Sequence, residues 1–190
     1  MNPLHIRRLR PDDSLDDLTA LLHRAFGPLG RQGLPCDCVD QSPHATAARA
    51  RRGACFVAVR GARLAGTMTL EPPGPRAACA WYRRPEVATL HQFAVDPCEQ
   101  GLGAGTLLLR FAERWVAGQD YSELALETPA CAARLVAFYA AHGFRTVGRF
   151  RKDGKPYDSL VLSKRVADPS PDPWTMPRRQ PWHGALVAAR

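Results

Sequence analysis

At 190 residues the chain is long enough for one self-sufficient domain, since a fold of this size buries about 70% of the surface its unfolded chain exposes. Hydrophobic residues at 45% and charged residues at 23% exclude a disordered chain. No apolar run resembles a leader or a membrane span, so a cytoplasmic location is expected. A net charge of +8 and a pI near 9.6 suit a polyphosphate ligand or a nucleic acid; the arginines are scattered and no nucleic-acid motif accompanies them, so a nucleic-acid partner is not expected.

The chain opens with a short strand over residues 4–9. Ser14 then caps a helix, with Asp17 three residues on and Leu15, Leu18, Leu22 and Ala25 sharing a face. Residues 27–41, rich in Gly, Pro and Cys, read as loop. Ser42-Pro43 supplies a cap and a first-turn proline for a second short helix that ends near Gly53. Strands over 55–60 and 63–70 turn at Gly61-Ala62, and prolines 72, 73 and 75 stop the second. A strand over 88–95 ends at Asp96-Pro97. A helix over 103–117 follows, with Leu107, Leu108, Phe111 and Trp115 as its inner face.

A strand over 123–127 points Leu124 and Leu126 the same way. Thr128-Pro129 is expected to start a helix that runs to His142 and stops at Gly143. Strands over 145–150 and 159–164 turn through Asp153-Gly154. This order predicts a single α/β domain, a mixed sheet with helices packed on it. The last segment, 167–190, carries five prolines and no periodicity, and is expected to be a flexible tail outside a domain of residues 1–166. Its tryptophans, Trp174 and Trp182, leave docking open.

Six cysteines are expected to stay reduced in a cytoplasmic protein. Cys36-x-Cys38, with His44 nearby, is the one close pairing. A zinc site takes four ligands, usually in paired clusters, and with no second cluster no metal is expected.

The chemistry concentrates in residues 90–105, LHQFAVDPCEQGLGAG: a strand, a loop and a Gly-rich helix start. The first N–H groups of a helix have no internal partners and the dipole favours negative charge there, so this is an anion site. Glycines clear the approach of a pyrophosphate to those groups. A dinucleotide fingerprint fits poorly. Gly101 and Gly103 match its first two glycines, but Thr106 stands at the third, and five residues separate Val95 from Gly101. Glu127, at the end of the next strand, is its one supporting feature. A P-loop would need Gly-Lys-Ser/Thr, which is absent.

The run Gln100-x-x-Gly103-x-Gly105 after Phe93-Ala94-Val95-Asp96-Pro97 resembles the acetyl-CoA signature of the GNAT superfamily of N-acetyltransferases. Farther on, Leu135-Val136-Ala137-Phe138-Tyr139-Ala140-Ala141-His142-Gly143-Phe144 is similar to the family helix that ends in Tyr, three residues, Gly, Phe. The two motifs stand in the family's order and contexts, and the resemblance covers residues 4–165.

It implies a central, mostly antiparallel twisted sheet of about seven strands flanked by about four helices. It also implies acetyl transfer from acetyl-CoA, as co-substrate, to an amine acceptor. By the resemblance, Phe93, Ala94 and Val95 bulge away from the next strand and bind the pantetheine arm through backbone groups. Gln100, Gly101, Leu102, Gly103, Ala104, Gly105 and Thr106 form the pyrophosphate loop and helix start. Tyr139 protonates the leaving thiolate, which its phenol can do once water is excluded; on the residues alone it is equally a core aromatic.

His91, on the strand into the bulge, is a candidate base by its ordinary pKa, or else a satisfied histidine on a sheet face. Glu71 and Glu127 are further candidates, as is a water chain. Acceptor choice is expected from residues 27–41, 72–85 and 151–157, with Trp81, Tyr82 and Tyr157 as possible pocket walls.

Ala132, seven residues before Tyr139, stands where the family often has an Asn that contacts the cofactor, and Gln100 replaces the usual Arg. Such domains often dimerise, so a homodimer is compatible. The competing readings are a CoA-binding regulatory module without catalysis, and a basic nucleic-acid-associated protein.

Overall fold

The computed structural model of the chain describes residues 2–166, and the expected tail over 167–190 lies outside them. Seven strands form one sheet: β1 (Leu4–Arg8), β2 (Ala54–Arg60), β3 (Arg63–Glu71), β4 (Val87–Val95), β5 (Glu123–Pro129), β6 (Arg145–Arg151) and β7 (Asp158–Arg165). Their spatial order is β1-β2-β3-β4-β5-β7-β6, antiparallel throughout except for β4 beside β5. Four helices pack on it: α1 (Leu15–Arg31), α2 (Pro43–Ala50), α3 (Ala104–Ala117) and α4 (Ala133–Ala141). The expected α/β architecture of seven strands and four helices is what the chain adopts. No helix among the described residues is long and apolar enough to cross a membrane.

Alternation along the strands sorts the core into two layers. Phe56, Met68 and Leu70 face α3, where Leu108, Phe111 and Trp115 meet them, with the Phe56 and Phe111 rings 4.9 Å apart. Leu124 and Leu126 join that layer, as their shared direction predicts. Val57 points the opposite way, into Leu18 and Leu21 of α1. Both helix caps form as read: Ser14 Oγ accepts from the Asp17 N–H at 3.1 Å, and Ser42 Oγ from the Ala45 N–H at 3.2 Å.

Three local readings are corrected. The expected loop from residue 27 is helix as far as Arg31, with Gly27 and Pro28 inside α1. Packing of the partly buried Phe26 against Leu22, Cys38 and Ala94 outweighs the poor helix propensity of Gly and Pro, a cost of about 1 and 3 kcal/mol. Thr128 and Pro129 do not start α4. They finish β5, paired with Leu160 and Ser159, where proline at a strand end loses little; α4 begins at Ala133 without a side-chain cap. Leu107 is not on the inner face of α3 but 39% exposed, because Leu108, Phe111, Ala112 and Trp115 take that stripe.

Gly53, between α2 and β2, shows how closely the backbones approach. A Cβ there would lie 2.0 Å from the Leu70 carbonyl oxygen and 2.9 Å from Glu71 Cα. Gly53→Ala is therefore expected to destabilise the fold by about 1–3 kcal/mol, read as a lower urea midpoint. An unchanged midpoint would mean that α2 shifts freely on the sheet.

Candidate active site

The site begins with two parallel strands that part. β4 and β5 pair only over Val87–Thr89 against Glu123–Ala125. Beyond Thr89 the edge of β4 that faces β5 carries backbone groups with no partner strand. The cause lies in β4 itself. Its register with β3 slips between Thr67↔Ala94 and Thr69↔His91, and Gln92 at the slip adopts φ 46°, a left-handed conformation rare for a residue with a Cβ. This bulge turns residues 90–95 away from β5.

The parted strands enclose a cavity of about 650 Å³, closed by α1, the segment around Cys36–Cys38, the start of α4 and the β6–β7 turn. Phe93, Ala94 and Val95 all line it, as do Gln100, Gly101 and Gly105.

At one end the chain leaves β4 through Asp96 into α3. Gly101 and Gly103 take φ 77° and 83°, and a Cβ on either would project into open space. Glycine is needed there for its backbone conformation rather than for room. The first helical bond runs from the Leu107 N–H to Gly103 O at 3.0 Å, so the N–H groups of Ala104, Gly105 and Thr106 have no partner within the helix. These groups suit a pyrophosphate.

Leu102, 66% exposed, lies in the turn that leads into Gly103. The Gln100 side chain folds back, its Nε2 donating to Val95 O at 3.0 Å. Thr106 Oγ1 stands 3.0 Å from His142 Nε2, tying the first turn of α3 to the end of α4.

Two ion pairs pin the loop before α3. Arg24 of α1 donates to Asp96 Oδ2 at 2.7 Å, while Asp96 Oδ1 takes the Cys98 N–H at 3.0 Å. Arg60 of β2 holds Glu99 through both carboxylate oxygens. Neither pair was legible beforehand.

Tyr139 reaches the cavity from α4. Its ring is buried among Phe93, Phe138 and Phe144, at 6.2, 5.3 and 5.7 Å between centroids, and burial raises its pKa, so it stays protonated at neutral pH. His91 lines the same cavity. Its Nε2 is 3.0 Å from Thr89 Oγ1 and 3.8 Å from Glu71 Oε2. Burial first, then the charges of Arg49, Lys152 and Arg52, push its pKa down to about 3. Burial raises the Glu71 carboxyl. Glu127 pairs with Lys152.

Tyr157 lines the cavity, its hydroxyl donating to Pro35 O at 3.0 Å. Trp81 and Tyr82 pack instead against Val87 and Val161. Cys38 is buried, its thiol pushed up to about 12 chiefly by burial.

The family model for the Acetyltransferase (GNAT) family matches residues 15–144, more than half of the chain. The protein belongs to the GNAT acetyltransferase family, a membership that implies acyl transfer from acetyl-CoA. The ribosomal-protein-S18-alanine N-acetyltransferase from Escherichia coli is 20% identical with a TM-score of 0.65, over 90% of this chain and 98% of that one. An IAA acetyltransferase from Bacillus cereus is 22% identical with a TM-score of 0.62, over 86% of this chain and 100% of that one. At such identities the likeness concerns the fold. No curated protein sequence gives a significant match.

The Asp96 clamp carries a pH signature. Burial works to raise the Asp96 carboxyl, but the Arg24 pairing and the Cys98 N–H outweigh it and hold the group below the usual carboxylate value. A group depressed in the folded state contributes stability above its unfolded pKa of about 3.9, and loses it as pH falls through the folded value. Asp96→Asn is therefore expected to lower the urea midpoint most at about pH 6, with the gap to the native protein closing as the pH falls below the unfolded value of about 3.9. A gap independent of pH would show that Asp96 acts by packing alone.

Proposed function

We propose that the protein is an acyl-CoA-dependent N-acyltransferase, moving acetyl from acetyl-CoA to a primary amine of a small molecule or peptide by direct attack in a ternary complex. The observation that carries this reading is the bulge-opened edge of β4, which leads through the short clamped loop at residues 96–100 into a glycine-turned helix start. One face of the cleft thus offers unpaired strand groups for an extended amide-bearing arm, and its end offers free N–H groups for a pyrophosphate. Phe93, Ala94 and Val95 serve the first, and Gln100, Gly101, Leu102, Gly103, Ala104, Gly105 and Thr106 the second.

The chemistry asks for position, for one proton supplied to the leaving sulfur and for one taken from the attacking nitrogen. The amine nitrogen attacks the thioester carbonyl carbon, the C–S bond breaks, and the departing sulfur takes the phenolic proton of Tyr139. A buried, firmly protonated phenol suits that task, because it gives up its proton only to a strong base such as a thiolate in a dry site. The attacking nitrogen loses its proton towards His91. A ring this hard to protonate relays the proton through Thr89, or on towards Glu71, rather than keeping it.

Isothermal titration with acetyl-CoA tests the binding half. The native protein is expected to bind in the micromolar range, and Gly103→Glu to abolish binding while circular dichroism shows it folded. Absence of binding by the folded native protein would overturn the reading. Tyr139→Phe tests the chemistry: kcat for thiol release is expected to fall by about 10²–10⁴ with acetyl-CoA affinity unchanged. Full activity in that variant would remove Tyr139 as the acid.

A further inference from the structure

The end of the cavity away from the helix start has its own chemistry. His91 and Val95 lie four residues apart on β4, which is about 13 Å of strand. The charges that bear on His91 are those of Arg49, Lys152 and Arg52, so this end is cationic in its own right, separate from the pyrophosphate site. Lys152 is taken up by Glu127. Arg49 and Lys155 share a single carboxylate, Asp37: Arg49 Nη1 lies 3.6 Å from one oxygen and Lys155 Nζ 3.1 Å from the other. Among the lining residues at this end, three cations therefore face two carboxylates.

Arg49 is held there by a buried relay. Its Nη1 donates to Gln41 Oε1 at 2.9 Å, Gln41 Nε2 donates to Thr46 Oγ1 at 2.7 Å, and Thr19 Oγ1 closes the chain at 2.8 Å from Thr46 and 2.7 Å from Leu15 O. Gln41, Thr46 and Thr19 are each more than nine-tenths buried. Fixing a guanidinium at a cavity wall through three buried polar side chains preorganises it, which a surface cation making only solvent contacts does not need. Lys155 is steadied from the other side, in the turn where Tyr157 is bonded to Pro35.

A further donor points the same way. Gln92, 6% exposed and lining the cavity, uses its Oε1 to accept from Thr69 Oγ1, and its buried Nε2 has no hydrogen-bond partner among the described residues. A buried amide donor left unpaired costs about 1–3 kcal/mol, which a ligand oxygen would offset.

We propose that the acceptor is a small amine that also carries a carboxylate, and that Arg49 and Lys155 hold that carboxylate while the amine faces the parted strands. The inference deepens the acyltransferase reading and rests on it. Asp37, with its side chain 59% exposed, occupies the place between the two cations and shows which chemistry satisfies them. A guanidinium engages a carboxylate through paired N–H donors, and a polyamine would meet like charge at the same wall.

The test uses the full chain saturated with acetyl-CoA and follows thiol release with the common L-amino acids, with β-alanine and γ-aminobutyrate, with their carboxamides, and with spermidine. Amino-carboxylates are expected to exceed the matching carboxamides at least tenfold in kcat/KM. Arg49→Gln and Lys155→Gln are each expected to raise the KM ratio of the preferred carboxylate to its carboxamide about 10- to 100-fold, and Lys155→Gln, whose charge does not bear on His91 as that of Arg49 does, to leave kcat little changed. Arg49→Lys should recover part of the loss.

Calorimetric binding of the preferred amino-carboxylate to the CoA-loaded protein should weaken in parallel. Lys155 lies in the β6–β7 turn, outside the buried relay, so its variant stays informative if Arg49→Gln is poorly folded. Equal use of carboxamides or spermidine would overturn the proposal, as would variants that slow carboxylate and carboxamide alike. Failure of acetyl-CoA to bind would fell the underlying reading as well, and it is read separately in the titration of the native protein.

Discussion

Everything at the candidate site depends on Gln92 standing in a left-handed backbone conformation in the middle of the sheet. A regular β4 would pair with β5 along its whole length, since parallel neighbours of this kind share a continuous ladder. Instead the slip against β3 rotates the strand, and pairing with β5 ends after Val87, Ala88 and Thr89. Strain of this type costs on the order of 1–3 kcal/mol and persists only where the surroundings enforce it. Here the enforcing contacts are the Thr69 hydroxyl on Gln92 and the packing of Phe93 against Phe138 and Tyr139.

The opening would be of little use if the loop beyond it were free to move. Arg24 and Arg60 reach Asp96 and Glu99 from opposite faces of the sheet, one from α1 and one from β2. Those carboxylates are buried while their partners are more exposed, so the arginines keep water contact as they fix the loop. The glycine turn at Gly101 and Gly103 is thus presented by a clamped segment. The α1 helix that supplies Arg24 also carries Thr19, at the root of the relay that sets Arg49, so one helix positions both ends of the cleft.

Much of this was legible in the chain itself. Ser14, Ser42-Pro43 and the Gly61 and Gly154 turns act locally, and their geometry follows from side-chain oxygens and backbone freedom a few residues away. The strand–loop–helix run from Leu90 to Gly105 and the Tyr139 helix were readable for the same reason. What escaped was settled by distant partners. Helix α1 runs through Gly27 and Pro28 because Phe26 finds Cys38 and Ala94. Pro129 stays in β5 because Ser159 lies opposite it. The bulge of β4 was expected from the family resemblance, but its position was not, because Gln92, being neither Gly nor Asn, carries no local sign of it. Arg49 and Lys155 look like ordinary surface cations until folding brings both to Asp37.

The short seam between β4 and β5 has a mechanical side. Three residue pairs join β1–β4 to β5–β7 along the ladder, and the remaining connection is made by α3, α4, the core between them, the packing of Tyr82 and Val87 on Val161, and the bonds of Lys155 and Tyr157 to Asp37 and Pro35. A molecule lying in the gap as an added strand would act as a splice between the two half-sheets, supplying the rungs that the backbone omits. Its binding energy would then count towards the resistance of the chain to unfolding, in proportion to the logarithm of its concentration above saturation. The level of the co-substrate in the cell would set how durable the protein is as well as how fast it turns over.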